Sequence, residues 1–213
     1  MIPFRVKVCG ITRPEDAAVA VTNGADLIGL IFYSRSPRRV SPDAAAAIIT
    51  KLPPVVHRVG VFVDDPLDRV LATAARLDLD FLQLHGPYTD DDVRRARRVG
   101  FRTIRLRTVR RPSDYAAFYT DPADIVMVDH PSGALAGGTG TAFDWRIRPP
   151  VPIVNLMLAG GITADNLAEG VRTFQPLVVD VNSGVEEAPG VKSAEKMKRF
   201  FEVANRLRYA KAD

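Results

Sequence analysis

The feature that most constrains this chain is the regular exchange of short apolar runs with segments carrying helix signals. Eight such runs occur, at residues 4–9, 27–32, 58–63, 81–84, 103–106, 125–129, 154–158 and 177–181. They are nearly continuous in apolar character, as strands of a parallel sheet are when helices cover it. Between them, Thr12, Pro14 and Glu15 supply an N-cap, an early proline and a first-turn acid, and Gly24 closes the segment. Ser41-Pro42-Asp43 opens an alanine-rich helix, Asp65-Pro66 one through about Arg76, and Thr89-Asp90 one that stops at Gly100. Pro112-Ser113-Asp114 precedes a shorter helix, and Thr163 to Asn166 lead one to about Arg172. The last runs from Ser193 to about Tyr209, with Phe200, Phe201, Val203, Ala204 and Leu207 on its apolar face.

Eight strands alternating with helices fit either an open doubly wound sheet or a closed barrel. No Pro/Ser-rich linker divides the 213 residues, and the repeat averages about 27 residues. That size suits a compact barrel, so the expectation is one α/β domain over 1–213, a (β/α)8 TIM barrel. The poorest match to the repeat is the Gly-rich stretch 132–140 and the short Phe143-Asp144-Trp145 that follows.

The N-terminus carries Arg5 and Lys7 within its apolar residues and so lacks a secretory h-region. No apolar run approaches a membrane span. A lone cysteine is compatible with a reducing compartment, and the chain reads as cytoplasmic with no membrane partner. The net charge of +4 concentrates in Arg94 to Arg111, after Asp90-Asp91-Asp92. Acid at the start of a helix and base at its end suit the helix dipole, so a solvated face is favoured over a nucleic-acid patch.

In such a barrel the active groups gather at the C-terminal ends of the strands. Those positions are Cys9-Gly10, Ser36 to Arg39, Asp64-Asp65, His85-Gly86, Arg107, Asp129-His130, Gly160-Gly161 and Asn182-Ser183-Gly184. The turns after strands seven and eight are where phosphate groups often bind backbone N–H groups, which points to Leu158 to Ile162 and Asp180 to Glu186. Three His and one Cys show no metal-site spacing, and His57 and His130 are assigned no role.

Seven ordered motifs carry a resemblance. They are Lys7-Val8-Cys9-Gly10-Ile11-Thr12, Ser36-Pro37-Arg38, Val59-Gly60-Val61-Phe62-Val63, Leu82-Gln83-Leu84-His85-Gly86, Gly137-Gly138-Thr139-Gly140 with Phe143-Asp144-Trp145, Leu158 to Ile162, and Asp180 to Glu186 with Pro189-Gly190. Together, across about residues 5 to 200, they resemble the phosphoribosylanthranilate isomerase family of tryptophan biosynthesis. The resemblance implies a cofactor-free Amadori rearrangement of a small phosphorylated substrate. It implies Cys9 as general base, Asp129 as general acid, Arg38 as substrate-binding cation, and Gly160-Gly161 with Ser183-Gly184 at the phosphate. Lys7, His85 and Gly138 are further substrate-binding candidates.

Lys7 alternates with Cys9 on one strand, so it points the same way and is expected to support a thiolate. An Asp near pKa ~3.9 is rarely protonated at neutral pH, so an acid role for Asp129 calls for a raised pKa. Asn182 stands where the family more often has Ser, Arg39 where an aromatic is common, and Arg105 and Arg107 where a lysine is more usual. These arginines are expected to add positive charge at the mouth. Stretch 133–140 reads either as a lid or as a loop replacing a helix. The related histidine-pathway isomerase normally has an aspartate where Cys9 stands, and a non-catalytic barrel is the reading from another class. The chain is expected to be a monomer or homodimer.

Overall fold

The computed structural model describes residues 4–129 and 147–209. Gly138, His130, stretch 133–140 and the Phe143-Asp144-Trp145 element lie outside the described residues. Eight parallel strands close into a barrel in sequential order, as expected. They are β1 (Arg5–Val8), β2 (Leu27–Ile31), β3 (His57–Val63), β4 (Phe81–His85), β5 (Arg102–Thr108), β6 (Ile125–Asp129), β7 (Leu156–Leu158) and β8 (Val178–Val181). The helices α1 (Pro14–Asn23), α2 (Pro42–Ile49), α3 (Leu67–Arg76), α4 (Asp90–Arg98), α5 (Leu167–Phe174) and α6 (Ala194–Tyr209) surround it. The segment after β5 is a 3₁₀ helix, Pro112–Phe118.

The apolar strands hide a period of two. Val6, Val8, Ile28, Leu30, Leu82, Leu84, Val126, Val128, Val179 and Val181 join the large core packed under the helices. Their neighbours Leu27, Val59, Phe81, Ile104, Ile125, Met127, Met157 and Val178 fill the barrel interior instead. Each strand therefore buries both faces, and polar residues on the inward parity must lie inside the barrel or at its mouth. That parity holds Lys7, Gln83 and Asp180, all less than a tenth exposed.

Of the eight strands β6 keeps both expected ends, and the others differ by one or two residues at one end or both. Val154, placed in the seventh strand on its apolarity, is 88% exposed, and β7 begins at Leu156. The eighth strand starts at Val178 rather than Leu177. A hairpin that the apolar pattern does not mark follows β8, formed by β9 (Glu186–Ala188) and β10 (Val191–Lys192).

The barrel floor is closed by aspartates placed just before alternate strands. Asp26 accepts from the backbone N–H of Val6 at 2.7 Å, Asp80 from Arg58 at 2.8 Å, and Asp124 from Thr103 at 2.8 Å. Each satisfies a backbone donor near the start of the preceding strand, where a buried unpaired N–H costs about 1–3 kcal/mol. A cation completes each clamp: Arg208 for Asp26, Arg58 itself for Asp80, and Arg97 for Asp124.

Arg105 and Arg107 do not add charge to the mouth. They alternate with the inward-facing Ile104 and Leu106 and so point outward. Arg105 meets Asp90 and the Tyr88 carbonyl, and Arg107 meets Asp121 at 2.6 Å. Arg39 turns away as well, lining a crevice with Phe32, Val40 and Arg69. The basic stretch is largely neutralised where it stands, since Arg94, Arg95, Arg97 and Arg111 also pair with nearby aspartates.

Candidate active site

One cavity opens at the C-terminal ends of the strands. Cys9, Arg38, His85 and Asp129 line it, as do Gly160, Gly161 and Ser183. The inward parity brings Cys9 there from the end of β1, His85 and Asp129 from the last positions of β4 and β6, and Asn182 from the turn after β8. Ile31, Val61 and Tyr33 form an apolar wall on the β2–β3 side, packed with Cys9.

Lys7 lies one layer below the cavity floor and is fully buried. Its Nζ sits 2.9 Å from Asp180 Oδ1, and β1 and β8 pair these two residues in register. The ammonium also interacts with the Cys9 sulfur by charge and hydrogen bond. Gly29 on β2 makes room for this group, since a Cβ there would come within 2.9 Å of Cys9 Sγ and 3.0 Å of Lys7 Nζ.

Burial opposes the charge on Lys7, but Asp180 and Cys9 outweigh it and hold the ammonium above its ordinary pKa. Cys9 goes the other way for a base. Burial pushes its thiol up, Lys7 pulls against that, and Asp180 adds to the rise. Cys9 therefore rests as a thiol beside a permanent cation.

Arg38 is not a free cation. Its Nε and Nη2 donate to Glu186 at 2.7 to 3.1 Å, and both residues are buried. Lys192 Nζ reaches the same carboxylate at 2.9 Å and also donates to the carbonyl and Oδ1 of Asn182. Burial would raise the Glu186 pKa, but Arg38 and Lys192 overcome it and hold the carboxyl below its usual range. The hairpin β9–β10 thus anchors Arg38 and the turn after β8 together, with two cations around one carboxylate.

The two glycine turns meet at the cavity edge. Gly160 and Gly161 have φ of 89° and 64°, a conformation glycine adopts without a Cβ penalty. Gly184 is pressed against the turn after β7, because a Cβ there would lie 2.0 Å from the Ile162 carbonyl oxygen. Gly184 thus stands behind the lining rather than in it.

Gln83, Asp180, Glu186 and Lys192 belong to this site and are absent from the sequence-derived candidates. A signal existed for the first two. Each is a polar residue inside an apolar strand, two positions before a mouth residue, which puts it on the inward parity. Glu186 and Lys192 carried no such signal because they sit on the unexpected hairpin.

The family model described as N-(5'-phosphoribosyl)anthranilate (PRA) isomerase matches residues 6–203. An N-(5'-phosphoribosyl)anthranilate isomerase from Thiobacillus denitrificans is 42% identical over 94% of this chain and 97% of its own. One from Rubrobacter xylanophilus is 42% identical over 94% and 98%. The crystal structure of the Thermus thermophilus phosphoribosyl anthranilate isomerase superposes with a TM-score of 0.85 at 36% identity, covering 96% of this chain and 100% of that one. A phosphoribosyl anthranilate isomerase solved in complex with reduced 1-(o-carboxyphenylamino)-1-deoxyribulose 5-phosphate superposes with a TM-score of 0.80 at 33% identity, over 95% and 98%.

Proposed function

Because the chain belongs to the N-(5'-phosphoribosyl)anthranilate isomerase family, we propose that its cavity carries out that family's reaction with Cys9 as general base and Asp129 as general acid. The substrate is N-(5'-phosphoribosyl)anthranilate and the product 1-(2-carboxyphenylamino)-1-deoxyribulose 5-phosphate, an Amadori rearrangement in tryptophan biosynthesis. The observation that carries the assignment of roles is the convergence of Cys9 and Asp129, from strands three places apart around the barrel, on one cavity.

Asp129 gives a proton to the ribose ring oxygen as the C1′–O bond breaks. The anthranilate nitrogen's lone pair then forms the C=N bond of a protonated Schiff base. Cys9 takes the C2′ proton, the C–H electrons become the C1′=C2′ bond, and the iminium nitrogen recovers its lone pair. The resulting enolamine tautomerises to the ketone.

The resting thiol at Cys9 first releases its own proton to solvent, and the thiolate so formed is the base. Ring opening places a positive charge on the substrate, and a cation near a thiol favours the thiolate. Lys7 adds a permanent cation from below. The thiolate is thereby favoured when the acidic C2′ proton is formed.

Gly160, Gly161 and Ser183 hold the phosphate on this reading, with Gly184 packed behind them, and Lys192 and Arg38 supply positive potential beside it. Arg38 binds the substrate through Nη1, the nitrogen that Glu186 leaves without a partner among the described residues. Among the described residues no helix is long and apolar enough to cross a membrane. We place the enzyme in the cytoplasm. Incubation of the purified protein with N-(5'-phosphoribosyl)anthranilate tests the assignment, with consumption of the substrate's fluorescence expected and an unchanged signal contradicting it.

A further inference from the structure

Gln83 is 1% exposed, lies in the cavity floor, and has no role in the chemistry above. Its Nε2 sits 2.7 Å from His85 Nε2 and 3.3 Å from Met127 Sδ, whereas its Oε1 is buried with no partner among the described residues. The amide orientation follows from this environment. As placed, two N–H donors meet two acceptors, an imidazole nitrogen and a thioether sulfur. Turned over, the carbonyl oxygen would face the thioether sulfur, and that contact would lose its donor.

A Gln83 donor at His85 Nε2 has a consequence for the ring. That nitrogen must carry its lone pair, so the proton of the neutral imidazole sits on Nδ1. Burial and the Lys7 ammonium in the layer below both oppose the charged form and lower the His85 pKa to about 4. The ring is a neutral donor at physiological pH.

We propose that Gln83 is a positioning residue that locks His85 in the Nδ1–H tautomer, making His85 a neutral hydrogen-bond donor to a substrate oxygen at the end of the cavity away from the phosphate turns. Those turns follow β7 and β8, and β4 stands across the closed barrel from β8. A phosphorylated substrate anchored at β7–β8 extends its other end toward His85 and the apolar wall of Ile31, Val61 and Tyr33. A neutral donor suits that end because it recognises an oxygen without competing with Lys7 for the charge that stabilises Cys9.

The inference rests on the proposed reaction for the identity of the acceptor, but the tautomer does not. Two-bond nitrogen–proton correlation spectra of ¹⁵N-histidine-labelled protein, assigned with His85→Asn, read the tautomer without substrate. The expected wild-type pattern is protonated Nδ1 and bare Nε2. Gln83→Glu, close in shape but able only to accept when ionised, is expected to move the proton to Nε2 and raise KM about tenfold with a smaller change in kcat. Gln83→Leu, which neither donates nor accepts, is expected to give mixed tautomers and an intermediate KM. A wild-type ring protonated on Nε2, or a Gln83→Glu ring unchanged from wild type, overturns the lock whatever the enzyme turns over. A shifted tautomer with unaltered KM overturns the substrate contact. Absence of isomerase activity in a protein showing the Nδ1–H pattern would instead count against the proposed reaction.

Discussion

Lys7 Nζ and Asp180 Oδ1 form a 2.9 Å ion pair between register partners on β1 and β8, buried beneath Cys9. A buried pair of this kind is a weak source of stability, because desolvation consumes most of its attraction. Its position matters more. It fixes a cation under the sulfur while keeping that cation charged.

Lys7→Met keeps most of the side chain's volume and removes the charge. Lys7 acts on Cys9 more strongly than Asp180 does. The Cys9 pKa should therefore rise further even though Asp180, deprived of its partner, takes up a proton. Each unit of rise removes about tenfold of the thiolate at a given pH. The pH dependence of iodoacetamide alkylation checks this, together with a fall in kcat that exceeds any change in KM. An unchanged Cys9 titration in Lys7→Met would separate the two residues.

Glu186 is the shared anion of Arg38 and Lys192, so Glu186→Gln strands two buried cations. Breaking a buried pair from one side costs about 3–5 kcal/mol. Urea unfolding is expected to show a loss of that order. At temperatures where the variant is still folded, KM should rise because Arg38 and the Asn182 turn lose their common anchor. Wild-type KM in a destabilised variant would mean that the network serves the fold alone.

His85 gives the stability of the protein a pH window. Its folded pKa of about 4 lies below the ~6.5 of an unfolded chain. Between those values the unfolded state binds a proton that the folded state does not, so stability falls as pH is lowered from 6.5 toward 4. The full difference is about 3 kcal/mol. The depressed Glu186 pKa adds its loss at lower pH, below the ordinary carboxylate range. Chemical denaturation from pH 7 to 4 should show the slope in wild type and a flatter one in His85→Asn.

Asp124 separates floor from mouth. Its Oδ2 accepts from the Thr103 backbone N–H at 2.8 Å and from Thr103 Oγ1 at 3.0 Å, at the opposite end of the barrel from the cavity. Asp124→Ala should cost about 1–3 kcal/mol in unfolding free energy with kcat/KM unchanged in the surviving folded protein. A comparable loss of kcat/KM would mean that the floor and the site are coupled.

The barrel was legible because eight apolar runs, each near the length of one strand, admit few other arrangements. What that pattern obscured was parity. In strands buried on both faces, apolarity no longer distinguishes inside from outside, so Arg105 and Arg107 read as mouth residues although they point outward to Asp90 and Asp121. Val154 shows the same weakness at a strand end, being apolar and yet exposed. Within the site, Cys9, Arg38, His85 and Asp129 were legible because each stands at or after a strand's C-terminal end. The partners that set their charge were not, since Asp180 and Gln83 are picked out only by counting inward positions and Glu186 and Lys192 only by a hairpin between two charged segments.

The most direct test of the acid and base assignment is the rate of substrate fluorescence loss under saturating N-(5'-phosphoribosyl)anthranilate for wild type, Cys9→Ser and Asp129→Asn. Both variants should bind substrate with little change in KM and lose about 10²–10⁴-fold in kcat, the usual worth of a positioned acid or base. Wild-type kcat in either variant would contradict its assigned role.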